Sequence, residues 1–179
     1  MAEQKMSGRV WVLLDEGGKL IENIDTDQIY HNAHLPITDL EEMGQYALGN
    51  LKGWEDFPQK VKPGDILVAG RNFGAGSSRQ QAVDCFLSLK LGAIFAPSFG
   101  AIYFRNAVNS GFPILRCPEL KNLVDEGLIE SSDEVSLHFL SGRGEIENKR
   151  KSFRFIPMSS VQYDIYKAGG LYNYGRKQE

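Results

Sequence analysis

Residues 70–81, GRNFGAGSSRQQ, constrain this chain more than any other stretch. An apolar run, Asp65-Ile66-Leu67-Val68-Ala69, leads into them, and a helical pattern beginning QQAVDCFL leads out. Between the two lie three glycines, the adjacent Ser77 and Ser78, and Arg79. The stretch reads as strand, tight loop and helix start. Glycine permits positive φ there and lets another group approach the backbone closely. The free N–H groups and positive dipole end of the following helix favour an anion. Ser77, Ser78 and Arg79 stand around that anion.

The same strand–helix alternation continues. GAIFAP reads as a buried strand, FGAIYFRNAVN as a helix closed by Ser110-Gly111, and Pro113-Ile114-Leu115 as the next strand. Residues 65–115 are therefore expected to form a parallel βαβαβ core. Beyond a short helix at 119–126 the texture changes. EVSLHF and SFRFI alternate around a Gly142-Arg143-Gly144 turn, which predicts a β-hairpin or meander with His138 on its surface. Lys149-Arg150-Lys151 reads as a solvated turn. A helix over 158–168 ends at Gly169-Gly170, and the tail LYNYGRKQE frays. At 179 residues the chain suits a single domain spanning 1–179.

Upstream, GRVWVLLDE is a first strand ending at Gly17-Gly18. NIDTDQI follows, rich in turn-forming carboxylates. The simpler reading is a capped loop; the sharper one is a loop that braces a neighbouring active-site segment. Residues 30–38, YHNAHLPIT, lack a period and contain Pro36, so they are expected as an exposed, mobile loop. Thr38 or Asp39 caps a helix that runs to Gly49.

The composition excludes several function classes. A net charge of −3 gives no hint of a nucleic-acid-binding surface. The two cysteines, Cys85 and Cys117, form no CxxC pair and cannot alone hold a zinc or an iron–sulfur cluster. Cys85 sits in an apolar helical pattern as a small core hydrophobe. His31 and His34 lie three residues apart, but no carboxylate or cysteine stands at metal-ligand spacing, so no metal site is expected. No signal peptide and no bilayer-spanning run is visible. The expectation is a cytoplasmic protein with no membrane contact and no nucleic-acid partner.

Three readings of the glycine-rich stretch compete. Ser78-Arg79-Gln80-Gln81 fits an S-x-x-Q capping box, with Ser78 as N-cap. That leaves Gly74, Gly76, Ser77 and Arg79 unexplained. A nucleotide loop has its G-x-G at Gly74-Ala75-Gly76, but Arg79 occupies the third glycine position, and no Gly-Lys-Ser/Thr is present. The third reading is a carboxylate site. Arg79 grips a carboxylate with two parallel hydrogen bonds, and Ser78 and helix N–H groups add donors. Ser77 then faces the carbon beside that carboxylate. A serine hydroxyl acts as a base only where N–H donors and positive charge stabilise its alkoxide.

At this point the sequence resembles a known family. The stretch is similar to the serine loop of the aconitase superfamily, N-(F/Y)-G-x-G-S-S-R-E-(H/Q)-A, and most of all to the short-type 3-isopropylmalate dehydratase small subunits. NIDTDQI, VKPGDILVAGRNFGAGSSRQQA and IFAPSFGAIYFRNAVNSGFPIL match in order and spacing, covering most of residues 8–118. The resemblance implies an α/β fold: a swivelling β/β/α domain with the parallel βαβαβ core and a C-terminal hairpin or meander plus helix. It implies a large partner subunit carrying a 4Fe-4S cluster, with no cofactor on this chain. Such enzymes are hydro-lyases that isomerise a substituted malate by dehydration and rehydration, here 2-isopropylmalate to 3-isopropylmalate in leucine biosynthesis. Carried onto this chain, Ser77 is the base, and Gly76, Ser78 and Arg79 bind the small dicarboxylate substrate.

Two features refine what the resemblance implies. Gln80 stands where the family has glutamate, so Arg79 is expected to be oriented by a hydrogen bond rather than by charge. Residues 30–38 correspond to the loop that selects the substrate. It has no arginine for a third carboxylate, and His34, Leu35, Pro36 and Ile37 suit an apolar substituent such as isopropyl, although His31 and His34 can supply positive charge if protonated. The alternatives are a related dehydratase acting on dimethylmalate or homocitrate/homoaconitate, and a structural or regulatory partner that keeps the fold without the chemistry.

Overall fold

The structure, a computed structural model, describes residues 5–177. The ends of the chain, including the last two residues of the tail, lie outside it. Seven strands form one sheet: β1 (Lys5–Val12), β2 (Ile66–Val68), β3 (Ala93–Ala96), β4 (Ile114–Arg116), β5 (Glu134–His138), β6 (Arg143–Ile146) and β7 (Lys151–Arg154). Their order is β4-β3-β2-β1-β5-β6-β7. β1 is the seam. It pairs parallel with β2, Val10 against Ile66, and antiparallel with β5, Met6 against Leu137. One side is therefore parallel and needs crossover helices, while the other is a meander joined by tight turns.

The helices are α1 (Thr26–Ile29), α2 (Leu40–Met43), α3 (Phe57–Lys60), α4 (Gln81–Ser88), α5 (Ala101–Asn109), α6 (Leu120–Asp125), α7 (Ser160–Ala168) and α8 (Leu171–Arg176). α4 connects β2 to β3 and α5 connects β3 to β4, giving the expected parallel core. Alternate residues of β2 serve two cores, as strand pleating requires. Leu67 joins Leu13, Ile29, Phe73, Phe86 and Tyr103 under the helices. Ile66 and Val68 join Val10, Val12, Phe95 and Leu137 on the other face. That second core closes because the sheet curls. The Ile156 N–H donates to the Arg116 carbonyl at 2.8 Å, so the chain just beyond β7 meets β4. Phe95 packs edge-on against Phe153 and Phe155, with ring centroids 5.9 and 5.2 Å away. The layering is thus β/β/α.

Several local expectations are corrected. Residues 30–38 are ordered: Tyr30 is fully buried, its hydroxyl donates to the His34 carbonyl at 3.1 Å, and Asn32–His34 form a 3-10 turn. The helix after Asp39 stops at Met43 and tightens into a 3-10 turn at Gly44–Tyr46. β6 begins at Arg143, within the stretch expected as the Gly142-Arg143-Gly144 turn. The tail forms α8 instead of fraying before Arg176. Lys149 is not a free solvated cation but an anchored one, bonded to Glu130 and Asp133.

Candidate functional site

The loop between β2 and α4 is held from two sides. On one side, residues 23–26 run along it: the Asn23 N–H donates to the Arg71 carbonyl, Gly74 to Ile24, and Thr26 to Ala75, all within 2.9 Å. On the other, Phe73 donates to Ser98 and accepts from Gly100. The buried Phe73 ring anchors this point against Tyr103, 5.5 Å away and edge-on, and the Tyr103 hydroxyl donates to the Ala82 carbonyl of α4. The two glycines that follow have different reasons to be glycine. At Gly74, with φ +76°, a Cβ would lie 2.2 Å from the Tyr103 ring, so both space and conformation exclude a side chain. At Gly76, with φ +93°, nothing lies closer than 3.6 Å; only the backbone conformation demands glycine.

This scaffold lifts Ser77 and Ser78 to the surface. Both are exposed, and neither hydroxyl bonds to another described residue. The N–H groups of Gly76, Ser77 and Ser78 are likewise unbonded within the described chain. The capping-box expectation fails here. The N-cap of α4 is Gln80, already helical at φ −62° and ψ −36°, with no side-chain cap bond. Ser78 lies two residues before it, and the Gln81 side chain reaches the Leu35 carbonyl instead of turning back. Helix capping therefore does not account for Ser78.

Arg79 is half-buried and already oriented. Its Nη1 donates to Asp27 Oδ1 at 2.8 Å and to the Tyr30 carbonyl at 3.1 Å. The Arg79 guanidinium, bonded to the Asp27 carboxyl, holds that carboxyl below the usual carboxylate range. Asp27 is fixed in turn by the Asn32 N–H and the Asn50 side chain. Both readings of NIDTDQI thus apply. Asp25 caps α1 in a box with Gln28, and Asp27, two residues on, braces the site. Gln80 does not orient Arg79. Its Nε2 donates to Asp84 Oδ1 at 2.8 Å and to Ser110 Oγ at 2.9 Å, tying α4 to the end of α5.

Residues 30–38 adjoin the arginine through the Tyr30 carbonyl. His34 is half-buried and stacks on Tyr46 at 3.9 Å, with His31 edge-on to it at 6.3 Å. Pro36 is exposed, whereas Leu35 and Ile37 pack against the core beneath the helices. The site thus brings together Gly76, Ser77, Ser78 and Arg79, with the 30–38 loop at its edge. Sequence reasoning missed Asn50, which sits in an irregular connection without any motif. It named the NIDTDQI carboxylates without fixing which of them reaches the arginine.

Neither cysteine serves this site. Cys85 lies in the core under the helices and Cys117 in the core within the curled sheet; both are fully buried. Burial pushes both thiols up, Cys117 to about 11. Among the described residues no three His, Cys, Asp or Glu side chains gather as a metal would need. Among the described residues the two cysteines lie in different cores and do not come together as cluster ligands.

Comparison with known proteins places this chain in a family. Residues 19–120 match the aconitase C-terminal domain. The chain is 37% identical over 174 residues to the 3-isopropylmalate dehydratase small subunit of Thermodesulfovibrio yellowstonii, covering 97% of this chain and 95% of that protein. It is 35% identical, with the same coverage of both chains, to the isopropylmalate/citramalate isomerase small subunit of Methanocaldococcus jannaschii. A crystal structure of 3-isopropylmalate dehydratase from M. jannaschii superposes with a TM-score of 0.83 at 34% identity, covering 98% of this chain and 95% of that one. The relatives and the shared curled β/β/α sheet show that this chain belongs to the 3-isopropylmalate dehydratase small-subunit family.

Proposed function

We propose that this chain is the small subunit of a heteromeric hydro-lyase that interconverts 2-isopropylmalate and 3-isopropylmalate in leucine biosynthesis. Ser77 is its base, and Gly76, Ser78 and Arg79 bind the substrate carboxylate. The observation that carries this reading is an exposed, unbonded Ser77 hydroxyl two residues from an arginine that is pre-oriented by Asp27. Arg79 uses only Nη1 within the described chain, so its other N–H groups are available to a carboxylate. Unbonded N–H groups from Gly76 to Ser78 and the arginine's charge stabilise the Ser77 alkoxide. The alkoxide takes the proton from the carbon beside the carboxylate, hydroxide leaves the neighbouring carbon, and water adds back with the two positions exchanged.

In this reading the site forms one wall of a cleft, the large subunit supplies the other wall and holds the 4Fe-4S cluster, and the assembly works in the cytoplasm. No helix among the described residues is long and apolar enough to cross a membrane. The chain forms a single domain, with no nucleic-acid partner. The non-catalytic alternative drew its support from Gln80. That support disappears because Gln80 does not touch Arg79, whose orienting carboxylate is Asp27.

Reconstitution with the large subunit tests this. Ser77→Ala lowers kcat by about a thousandfold, within the usual span for a lost general base, and leaves folding and assembly intact. Unchanged turnover removes Ser77 as base. Assay of isopropylmalate against citramalate, dimethylmalate, citrate and homocitrate tests the loop. Isopropylmalate is expected to be preferred, and preference for a tricarboxylate overturns the substrate assignment.

A further inference from the structure

We propose that Asn50 is a positioning residue for the substrate carboxylate, acting on Arg79 through Asp27. This rests on the function proposed above and extends it to a residue outside every motif. Asp27 sits on α1, a single helical turn, and its side chain is partly exposed. A carboxylate there held through one oxygen would rotate freely. Its Oδ1 accepts from Arg79 Nη1 at 2.8 Å and from the Asn32 N–H at 3.2 Å. Its Oδ2 accepts from Asn50 Nδ2 at 3.1 Å, and the same Nδ2 lies 3.3 Å from the Asp27 main-chain carbonyl. Asn50 thus fixes the second oxygen relative to the backbone, which aims the first at the arginine.

The chain around Asn50 is built to deliver it. Leu48 is fully buried at φ +59°, a conformation that leucine seldom adopts. Its N–H donates to the Ile29 carbonyl at the end of α1 at 2.8 Å, and the Leu51 N–H returns to the Leu48 carbonyl at 3.0 Å. Burial and these two bonds hold a strained turn whose next exposed side chain, Asn50, crosses onto Asp27. The charged or titratable groups facing Asp27 are Arg79 from the serine loop and His31 from the 3-10 turn. Asn50 adds no charge, so it acts by orientation.

The test is a double-mutant cycle in the assembled enzyme. Asn50→Ala is expected to raise KM about fivefold while kcat stays within about twofold, the size of one ordinary hydrogen bond. In an Asp27→Asn background the same change raises KM no further. An unchanged KM, or an equal increase in both backgrounds, overturns the proposal. A second readout does not depend on activity. NMR titration of Asp27 in this chain alone is expected to move upward in Asn50→Ala and in Asn50→Gln, which misplaces the amide; an unmoved titration in both overturns it. An inactive wild-type complex with these titration shifts present would instead count against the proposed function.

Discussion

Two cations in this protein are built in opposite ways. Lys149, in the turn between β6 and β7, is saturated. Its Nζ lies 2.6 Å from Glu130 Oε2, 2.8 Å from Asp133 Oδ2, and 3.1 and 3.3 Å from the carbonyls of Gly127 and Leu128. An ammonium has three donors, so nothing remains to offer. Its partner Asp133 is buried and bonded also by Asn148 and the Glu130 N–H. Arg79 has a carboxylate partner too, but spends one nitrogen on it and on Tyr30. Around it stand unbonded serines and N–H groups. An ion pair alone therefore does not distinguish scaffold from site. The donors left over do.

Substitution should separate the two. Of the two cations, the larger effect on activity is expected for Arg79→Met in the assembled enzyme: a fall of about a hundredfold in kcat/KM, from lost charged hydrogen bonds to substrate. Thermal stability should move little, because Asp27 is partly exposed and stays solvated. The Asp27 carboxyl should rise toward its ordinary range, since the Arg79 bond is the main force lowering it. A carboxyl depressed in the folded state contributes stability above its unfolded pKa, about 4, and loses it as pH falls through the lower folded value. The variant's stability should therefore depend less on pH below about 4, which acid titration of unfolding measures. Lys149→Met is expected to do the reverse. It leaves buried Asp133 without its cation and costs about 2–3 kcal/mol in denaturant unfolding, with kcat and KM unchanged in the complex. A kinetic defect without a stability loss would erase the contrast.

The difference between these regions also explains what could be read in advance. The parallel core was legible because β2 and β3 are short apolar runs bounded by glycine and proline, and α4 and α5 have helical periods between them. The serine loop was legible because positive φ and close packing leave their mark as glycine. Lys149 escapes a local reading because its partners, Glu130 and Asp133, come from another turn and obey no local period. Residues 30–38 looked mobile because their order comes from Tyr30 filling the core and from His34 stacking on Tyr46, both tertiary. Leu35 and Ile37 pack against the core from a turn, where no strand or helix spacing marks that contact. Asp27 and Asn50 act through side-chain bonds across 52 and 23 residues, a kind of order that composition does not encode.

The smallest effect expected is the most specific. Gln80→Glu installs the glutamate that the serine-loop resemblance leads one to expect here, and if position 80 oriented Arg79 it should improve substrate binding. The geometry gives the opposite expectation. Gln80 donates through Nε2 to Asp84 Oδ1, and burial already raises the Asp84 carboxyl above its usual range. A glutamate has no such donor and sets a second carboxylate against Asp84. The exposed position lets the new side chain swing into water, so the cost is about 0.5 kcal/mol of stability. KM and kcat should remain within about twofold, because a surface substitution that does not touch Arg79 leaves the Asp27 brace intact. A several-fold fall in KM would show that residue 80 reaches the arginine in the assembled enzyme. The contrast between the sealed Lys149 and the open Arg79 would then need a second orienting group, supplied only when the large subunit is bound.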